Sequence, residues 1–456
     1  MKNTKIICTI GPSSNTEKLI TEMVKNGMNV ARLNFSHGTY DEHSKYVAII
    51  RKVSAKLHNP IAILQDLQGP KIRIAKLSRP IKLKEKARVV LGQDFTFDTD
   101  VWRFLRVGHR VLIEDGTIEL VIREKKSQAR FVVEAINNGL IQSHKGVNLP
   151  DSGITLPSLT DKDMKDLKFG MSLGMDYIAM SFAKEAKDID RLKRQINKVY
   201  QGSGKKPLVI AKIERPEAVK HIKSIARVAD GVMIARGDLA VEVDQTMVPI
   251  IKKEIIEVCM RDAKPVIVAT QMLDSMTRNP RPTRAEIEDV ADAVIDGTDA
   301  VMLSGESAFG KFPVETVKVM NKTILSTEKS RFAGDHCLYD GSDERGLAKL
   351  ATDVCDKTSE GGVRYVILAC DDMRLLAFLS HTRPSVPIIY TTGFISNYEQ
   401  SALYWGVHGM LMDSQEPVNG ALTILKKEKK IKPRDKVIIV AKQGREYTTT
   451  IYEVGN

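Results

Sequence analysis

Cysteine, aromatic residues and long apolar runs are all scarce in this 456-residue chain, and each scarcity excludes a class of protein. Aromatic residues make up 5% of the sequence, so a single-stranded nucleic acid would find few platforms for its bases. No apolar run approaches the roughly 18 residues that a membrane-spanning helix needs. The cysteines are too scattered for a CxxC motif, which excludes a zinc knuckle or redox dithiol and favours a reducing compartment. They are Cys8, Cys259, Cys337, Cys355 and Cys370.

The charge of the chain is basic overall but is spread along its length. Lysine and arginine number 69 against 57 acidic residues, a net charge of +12. The densest basic run, 426–430, is typical of a solvated helix end, and small anionic substrates explain the excess as well as nucleic acid does. The N-terminal apolar run, Ile6–Ile10, is too short for a secretory signal. We therefore expect a cytoplasmic protein whose partners are small molecules, with no nucleic acid and no membrane among them.

Length and composition indicate a globular protein of several domains. Hydrophobic residues make up 43% and charged residues 28% of the chain, which are ordinary values for folded domains. At roughly 150 residues per domain, the length predicts about three domains. A chain of this size buries a large core without disulfides, which excludes a disordered, collagen-like or disulfide-stapled protein.

Short β-branched runs alternate with helical stretches through the first two thirds of the chain. A typical helical stretch is Arg284–Ile295, which has acidic residues in its first turns and Gly297 just beyond its end. Parallel strands buried on both faces have this apolar character, and eight strand–helix units favour a closed (β/α)8 TIM barrel over an open sheet. The predicted strands are Ile6–Ile10, Val30–Leu33, Ile61–Leu64, Tyr177–Met180, Val209–Ala211, Val232–Ala235, Val266–Ala269 and Ala300–Leu303.

The third and fourth predicted strands are too far apart to be direct neighbours, so we predict an inserted domain. The barrel would comprise 1–67 and 158–326, with residues 68–157 forming a small β domain that acts as a lid. Its predicted strands are Arg88–Leu91, Arg110–Ile113, Ile118–Arg123 and Arg130–Ala135, with a hairpin turn at Glu114-Asp115-Gly116. A separate C-terminal α/β domain, 327–456, would hold strands at Tyr365–Ala369, Pro387–Thr391 and Lys436–Ala441, and a helix at Arg345–Lys357.

Polar side chains follow seven of the eight predicted barrel strands, at the end where a barrel carries its chemistry. Solvated loop starts would give the same pattern at any one strand, but they explain seven strands poorly. We therefore expect these side chains to converge on one mouth. They are Arg32, Asn34 and Ser36, Asp66, Ser181, Lys212 and Glu214, Arg236 and Asp238, Thr270 and Gln271, and Ser304 and Glu306.

Within this group, the types of side chain indicate a reaction class. Glu214 and Asp238 are hard oxygen ligands that suit Mg²⁺, although ion pairs with Arg236 or Arg32 are an alternative interpretation. Lys212 lies two residues before Glu214, so both side chains point to one face of the strand. The turn 235–238 offers backbone N–H groups to a carboxylate or phosphate, and Arg32 offers a guanidinium fork to a phosphoryl group. Together they predict Mg²⁺-assisted chemistry on a small phosphorylated acid.

The chain resembles the pyruvate kinase family through many separate motifs in the same order. They are 4–12 (TKIICTIGP), 31–38 (ARLNFSHG), 146–150 (GVNLP), 211–214 (AKIE), 235–239 (ARGDL), 269–273 (ATQML), 279–286 (NPRPTRAE) and 303–306 (LSGE). The resemblance covers about 1–326 and is weaker beyond. It implies a glycolytic enzyme that transfers the phosphoryl group of phosphoenolpyruvate to ADP, a homotetramer, and a subunit contact near Asn279–Glu286.

The resemblance also implies roles for individual residues. Lys212, Thr270, Arg32 and Arg73 would be catalytic. The substrate would bind Arg32, Ala235, Gly237, Asp238, Thr270 and Ser181, and the nucleotide would bind Asn34, His37, Arg73 and Lys145. Glu214 and Asp238 would hold Mg²⁺, with Mn²⁺ as an alternative, and a second Mg²⁺ would arrive with the nucleotide. A monovalent-cation site, or its mimic, would comprise Asn34, Ser36, Asp66 and Lys71.

Two departures from the family pattern carry predictions. Members that need K⁺ usually have Glu at the position of Lys71, so the chain resembles the K⁺-independent branch and we expect no K⁺ requirement. A tethered ammonium can supply the charge of the monovalent cation. Members activated by sugar phosphates have a Ser/Thr-rich turn where this chain has 369–374 (ACDDMR). Asp371 and Asp372 would repel phosphate, so we expect no fructose 1,6-bisphosphate activation there; another effector stays open.

Two other functional classes remain possible on the sequence alone. A phosphoenolpyruvate mutase or acyl lyase also combines Mg²⁺ with carboxylates on a barrel, but it would need neither the lid nor the Lys71-Ile72-Arg73 segment. A non-catalytic basic module that binds nucleic acid or protein would have lost the polar strand ends, which this chain retains. Retained residues do not prove turnover, so that class is disfavoured without being excluded.

Overall fold

The computed structural model describes residues 1–114, 116–154, 156–200, 206–333, 346–359, 361–412 and 416–455. In these ranges the strands fall into four groups along the chain. The first is β1 (Lys5–Thr9), β2 (Met28–Asn34) and β3 (Ala62–Asp66). The insert holds β4 (Ile72–Arg73), β5 (Ile81–Leu83), β6 (Arg88–Leu91), β7 (Arg110–Ile113), β8 (Ile118–Ser127), β9 (Arg130–Ala135), β10 (Gly139–Ile141) and β11 (Gly146–Asn148). Next are β12 (Tyr177–Met180), β13 (Leu208–Ile213), β14 (Gly231–Ala235), β15 (Val266–Ala269) and β16 (Ala300–Leu303). The last are β17 (Val363–Ala369), β18 (Ile388–Thr392), β19 (Val407–Leu411), β20 (Lys436–Gln443) and β21 (Glu446–Glu453).

The helices lie mainly between the strands of the first, third and fourth groups. They are α1 (Glu17–Lys25), α2 (Tyr40–Leu57), α3 (Asp161–Ser172), α4 (Ala186–Val199), α5 (Pro216–Lys220), α6 (Ile222–Val228), α7 (Arg236–Glu242), α8 (Val248–Arg261), α9 (Arg284–Ile295), α10 (Gly305–Ala308), α11 (Pro313–Glu328), α12 (Leu347–Thr358), α13 (Met373–His381), α14 (Ile395–Gln400) and α15 (Pro417–Lys427). Short 3-10 helices span Trp102–Phe104, Gln245–Met247, Asp274–Thr277 and Ser401–Leu403. Within the described ranges, no helix combines the length and apolar character that a membrane crossing requires.

The strands of the first and third groups close into one parallel barrel. Their order is β1-β16-β15-β14-β13-β12-β3-β2, which confirms the predicted (β/α)8 architecture. Alternate side chains bury both faces of each strand: Ile6 and Cys8 pack towards the helices, whereas Ile7 packs inside the barrel. The eight predicted strands agree with the observed ones to within two residues at each end.

Helix α9 has the bounds predicted from the sequence, and its first turn shows why. The Thr283 hydroxyl accepts a hydrogen bond from the Glu286 N–H at 3.3 Å, while the Glu286 carboxylate accepts one from the Thr283 N–H at 2.8 Å. This reciprocal capping box satisfies N–H groups that a helix start leaves unpaired. The chain turns away at Gly297, whose φ of +86° suits glycine.

The insert is an all-β unit with a hydrophobic core of its own. Six of its strands pair in the order β4-β11-β7-β8-β9-β6, and β5 pairs with β10. Three predicted strands have the observed bounds, and the fourth extends further, to Ser127. The sequence analysis missed β4, β5, β10 and β11, because runs of two or three residues are too short to show a periodic pattern. Of the predicted hairpin turn, Asp115 lies outside the described residues.

The C-terminal part forms a five-stranded sheet in the order β19-β18-β17-β20-β21, parallel except for β20 and β21. The predictions found β17, β18 and β20 but missed β19 and β21. Strand β21 is a polar, largely exposed edge strand, so it lacks apolar alternation. In β19, Gly409 weakens the strand pattern, yet a side chain there would lie 2.6 Å from the Ser401 hydroxyl. Of the predicted helix Arg345–Lys357, the first residue lies outside the described ranges and α12 begins at Leu347.

The C-terminal domain closes the amino end of the barrel. Ala402 and Leu403 join the apolar cluster inside the barrel, and Tyr177 at the start of β12 donates from its hydroxyl to the Gln400 carbonyl at 2.6 Å. The Lys5 ammonium, at the start of β1, donates to the Val407 carbonyl at 2.6 Å. The barrel is therefore covered at this end, and its opposite, carboxyl end is the one available for chemistry.

Candidate active site

A buried cluster of charged side chains lies at the carboxyl ends of four neighbouring strands. The Asp66 carboxylate accepts hydrogen bonds from Arg32 at 2.8 Å and contacts the Lys212 ammonium at 3.2 Å. Lys212 in turn donates to the Ser181 hydroxyl at 2.8 Å and lies 2.8 Å from a Glu214 oxygen. Because β2, β3, β12 and β13 are adjacent in the barrel, residues far apart in sequence converge here. The structure thus brings together polar side chains from four of the seven strand ends singled out in the sequence.

The cluster holds Lys212 in its charged form. Burial alone would lower the pKa of Lys212, but the carboxylates of Asp66, Glu214 and Asp238 outweigh burial and hold the pKa above its ordinary value. Burial likewise works to raise the pKa of Asp66, yet Lys212 and Arg32 keep it below its ordinary value. A permanently charged ammonium in a buried site is able to stabilise negative charge that develops on a substrate.

Glu214 is suited to hold a cation. One carboxylate oxygen accepts a hydrogen bond from the Phe182 N–H at 2.6 Å, whereas the other, Oε1, is buried and has no hydrogen-bond partner among the described residues. The Lys212 ammonium lies 2.8 Å from that oxygen and forms an ion pair with it. Burial and the nearby charge of Asp238 raise the pKa of Glu214, which indicates a site short of positive charge.

The donor set fits a divalent cation of the Mg²⁺ type. Glu214 and Asp238 supply carboxylate oxygens, the ligands that hard cations prefer. Among the described residues, no group of three or more His, Cys, Asp or Glu side chains is arranged to hold a metal. Neither carboxylate pairs with the arginines of the alternative interpretation, because Arg32 binds Asp66 and Arg236 binds Asp289. Instead, Glu214 contacts Lys212 and Asp238 contacts Lys71.

The turn after β14 lies against Thr270. The Gly237 N–H donates to the Thr270 hydroxyl oxygen at 2.8 Å, and that hydroxyl donates to the Ala269 carbonyl at 2.6 Å. Thr270 and Gln271 have φ values of +70° and +53°, which are unfavourable for residues with side chains. This strained pair places the Thr270 hydroxyl beside the backbone of the turn at Ala235–Asp238, where the sequence analysis expected it.

The lid contributes cations to the mouth of the barrel. The Lys71 ammonium donates to an Asp238 oxygen at 3.2 Å, and the Asn148 amide of β11 donates to Glu242 of α7 at 2.9 Å. Burial lowers the pKa of His37, and the positive charges of Arg73, Arg32 and Lys71 lower it further. The mouth therefore carries a positive field towards His37, as a site for phosphates would.

The remaining predicted nucleotide and monovalent-cation residues lie partly outside this cluster. The Asn34 side-chain oxygen accepts from the Ser36 N–H at 3.1 Å and orders the loop after β2. Lys145 pairs with Glu114 inside the lid. Of the proposed monovalent-cation set, Asp66 binds Arg32 and Lys212, while Lys71 lies at Asp238, on the side of the carboxylate pair.

The sequence analysis missed several groups that shape the site. The Phe182 backbone binds Glu214, and Glu242 holds the lid through Asn148. Neither carries a sequence signal, because both contacts depend on where the lid and neighbouring strands come to lie. Phe309, in contrast, lies close behind the singled-out Ser304 and Glu306, and an aromatic there could have been noticed.

Comparison with known proteins agrees with this geometry. The protein-family model "Pyruvate kinase, barrel domain" matches residues 1–317, and the family model "Pyruvate kinase, alpha/beta domain" matches residues 350–454. The chain is 39% identical over 427 residues to the pyruvate kinase of Chlamydia muridarum, covering 90% of this chain and 87% of that one. It is 38% identical over 429 residues to that of Clostridium acetobutylicum, covering 91% and 89%. A crystal structure of a pyruvate kinase from Cryptosporidium parvum matches with a TM-score of 0.90 at 31% identity, covering 99% of this chain and 96% of that one. The chain therefore belongs to the pyruvate kinase family and is a phosphotransferase.

Proposed function

We propose that this chain transfers the phosphoryl group of phosphoenolpyruvate to ADP, giving pyruvate and ATP. The observation that carries the proposal is the buried, charged Lys212 held between Asp66, Ser181 and Glu214 at the barrel mouth. Such a group neutralises the charge that forms on the transferring phosphoryl group and on the enolate left behind. Because chemistry here is mainly positioning and electrostatics, a preorganised cation is the part that the reaction needs most.

Glu214 and Asp238 would hold Mg²⁺, or alternatively Mn²⁺. An ion held there would supply positive charge that offsets the negative charge of the phosphoryl and carboxylate oxygens of the substrate. The chain's own contribution is to hold the two carboxylates in place. The Phe182 N–H holds one oxygen of Glu214, and the other, buried Oε1, lies 2.8 Å from the Lys212 ammonium.

The remaining assigned residues would bind and orient the substrates. The backbone of Ala235, Gly237 and Asp238 would hold the substrate carboxylate with help from Thr270, and Thr270 would belong to the network that delivers a proton to the enolate carbon. The Gly237 N–H donates to the Thr270 hydroxyl, so it would have to exchange that partner for the substrate. Arg32 would contact the phosphoryl group. Asn34, His37, Arg73 and Lys145 would bind the nucleotide, with the last two carried in by the lid (68–157).

Lid closure would complete this site and exclude water. Lys145 pairs with Glu114, so it would have to exchange that partner for a phosphate when the lid closes. The Asn148–Glu242 hydrogen bond supports a lid that can rest against α7. Exclusion of water matters because a phosphoryl group exposed to water in this site would be hydrolysed instead of transferred.

We also propose that turnover needs no K⁺, because Lys71 supplies the charge. Its ammonium lies 3.2 Å from Asp238 with a side chain that is 21% exposed. At about 4 Å and an effective dielectric constant near 20, one unit charge contributes on the order of 4 kcal/mol, and partial exposure reduces that value. Turnover that is equal in K⁺ and in tetramethylammonium would support this role, and loss of turnover without K⁺ would refute it.

The C-terminal domain bears on how the chain is regulated and assembled. The turn 369–374 is not free to bind phosphate, because Asp372 caps α13 by accepting from the N–H groups of Arg374 and Leu375. We therefore expect no fructose 1,6-bisphosphate activation through this turn, and activation that is abolished by mutating the turn would refute this. We further propose a cytoplasmic homotetramer, for which light scattering would give about four times the chain mass of 50.8 kDa.

The experiment that tests the proposed function is product analysis with phosphoenolpyruvate, Mg²⁺, and ADP present or absent. A kinase forms pyruvate and ATP in equal amounts and only when ADP is present. A mutase or lyase would consume phosphoenolpyruvate without ADP. A protein that binds nucleic acid without turnover would form no product and would show salt-dependent DNA binding.

A further inference from the structure

A cavity of about 510 Å³ lies beside the charged cluster and has two chemically different sides. One side is polar and includes Arg32, Asn34 and His37. The other side is apolar and made mostly of small residues. It comprises Ile10, Gly11, Pro12, Gly305, Ala308 and Phe309. A cavity of this size is typical of a small-molecule site, and its two sides call for a ligand with one anionic and one flat, apolar part.

Phe309 is placed as an open aromatic platform on the apolar side. It follows the last residue of α10 and is 67% exposed, which is an unusual exposure for phenylalanine. The ring is seated over Gly305, where a Cβ atom would lie only 2.6 Å from its Cζ atom. Glycine at 305 thus lets the ring lie close to the backbone at the rim of the cavity.

The polar side identifies the other half of the ligand. Arg32 donates to Thr9 and Asp66, which fixes its guanidinium at the floor of the mouth. Lys71 and Arg73 of the lid add two further positive charges near His37. Arg32, Lys71 and Arg73 lie towards one end, the first two also paired with Asp66 and Asp238, and this group of cations matches a di- or triphosphate. The platform at the other end matches a planar ring system.

We propose that Phe309 stacks on the nucleobase of the nucleoside diphosphate and is the main determinant of affinity at the base end of the ligand. This inference rests on the proposed function, because it assigns the position of the phosphate acceptor. Every base has a π face, so stacking on a ring tolerates a change of base. ADP and GDP should therefore both serve as acceptors, and pyrimidine nucleotides, with their smaller rings, should bind more weakly.

The test compares four variants by steady-state kinetics with ADP and phosphoenolpyruvate varied separately. Phe309→Ala should raise the KM for ADP by at least about fivefold, and Phe309→Leu should do nearly the same because it lacks a ring. Phe309→Trp should keep the KM near that of the unaltered chain. Phe332→Ala is the matched control, since Phe332 is 62% exposed and lies outside the cavity. For all four variants the KM for phosphoenolpyruvate should change by less than about twofold.

Three results would overturn the inference. A KM for ADP in Phe309→Ala that is within twofold of the unaltered chain would show that the ring does not hold the base. Normal kinetics in Phe309→Leu would show that apolar bulk is enough. A parallel loss of phosphoenolpyruvate affinity would indicate a distorted loop. Activity of the unaltered chain distinguishes the two proposals. If it forms no pyruvate, the proposed function is wrong. If it forms pyruvate but substitution of Phe309 leaves the KM for ADP unchanged, only the stacking role is wrong.

Discussion

At the residue scale, the site is a chain of charge pairs in which each member keeps another charged. Arg32 and Lys212 share Asp66, and Lys212 also reaches Glu214. Removing one partner of such a buried set leaves an uncompensated charge, which costs more than the net value of the pair. This arrangement suits a reaction that needs a positive charge at a fixed position, because a water molecule carries no charge and cannot replace the ammonium.

Replacing the Lys212 ammonium tests its role directly. Lys212→Met should lower kcat by roughly 100-fold or more, since a charge that acts in the transition state is lost. Lys253→Met is the control, because Lys253 is exposed and pairs with Asp296 far from the mouth. Circular dichroism should show both variants folded. A kcat near that of the unaltered chain in folded Lys212→Met would remove Lys212 from the mechanism.

The sign of the Lys212 pKa shift also predicts the pH dependence. The pKa of Lys212 is raised in the folded chain, so its charge and the stability that it contributes are fully present below about 10.4, the ordinary lysine pKa. They are lost only as the pH rises through the higher folded pKa. Deprotonation of Lys212 should therefore produce no alkaline limb in kcat between pH 6 and about 10.

Removing the charge of Lys71 tests whether this lysine replaces K⁺. Lys71→Ser should lower kcat/KM by roughly 10- to 100-fold in the absence of K⁺, because the positive charge beside Asp238 is lost. Added K⁺ should restore part of the loss, and it should leave the unaltered chain unchanged. Lys76→Ser, an exposed lid position, is the control. If K⁺ activates the unaltered chain and the Lys71 variant equally, the lysine does not replace the cation.

The identities of the charged residues could be predicted from sequence, but their pairings could not. Lys212, Glu214 and Asp238 were found because strand ends in a barrel converge whatever the details of packing. The partner of Arg236 was uncertain, because Asp289 lies 53 positions away on α9 and only the folded chain brings the two together. Phe309 lies only three residues beyond Glu306, so its nearness to a strand end was visible, but nothing in the sequence shows that it is exposed.

At the element scale, the junction between β3 and the lid is the feature that couples fold to function. Gly69 follows β3 with a φ of +68°, and its N–H donates to Asp163, the residue that completes the capping box of α3. A Cβ atom at Gly69 would lie 2.9 Å from the Phe182 ring and 3.0 Å from the Ser181 Cβ atom. The lid therefore leaves the barrel through a position that only glycine occupies without displacement of the site.

Gly69→Ala should consequently lower kcat by about tenfold or more, because the displaced Ser181 and Phe182 hold Lys212 and Glu214. Gly174→Ala is a close control, since Gly174 has a φ of +69° and no neighbour within 4 Å of an added Cβ atom. Both variants should lose about 1 kcal/mol of unfolding free energy from the left-handed conformation. Equal activity in the two variants would show that the crowding at Gly69 has no functional consequence.

The elements themselves were largely predictable where burial controls them. Barrel strands have apolar residues on both faces, and α9 carries a complete capping signal, so both were found with nearly correct bounds. Strands β4, β5, β10 and β11 are held by pairing partners and not by their own sequences. The same holds for β21, whose alternation is hidden by exposure to solvent.

At the scale of the whole molecule, a buried ion pair joins the barrel to the C-terminal domain. Arg383 donates to the Asp299 carboxylate at 2.9 Å and to the Gly297 carbonyl at 2.8 Å, and its guanidinium lies over the Trp405 ring. Burial works to raise the pKa of Asp299, but Arg383 and His381 outweigh it and hold that pKa well below its ordinary value. The pair thus contributes stability above about pH 4 that is lost as the pH falls below that value.

Arg383→Leu should lower the free energy of unfolding by about 3–5 kcal/mol at neutral pH, because Asp299 is left buried and charged. Arg364→Leu is the control: Arg364 pairs with Asp435 on the surface, and its loss should cost less than about 1 kcal/mol. Denaturant titration followed by circular dichroism measures both. Equal losses of unfolding free energy in the two variants would show that the Arg383–Asp299 pair is no more stabilising than a surface ion pair.

The measurement that tests the central claim most directly is the formation of pyruvate and ATP from phosphoenolpyruvate and ADP with Mg²⁺, with K⁺ and with tetramethylammonium in parallel. The account predicts equal amounts of the two products, absolute dependence on ADP, and the same rate in both salts. Turnover only in K⁺ would contradict the role of Lys71 while keeping the reaction. No pyruvate from folded protein in either salt would contradict the assignment of Lys212 and its neighbours as a phosphoryl-transfer site.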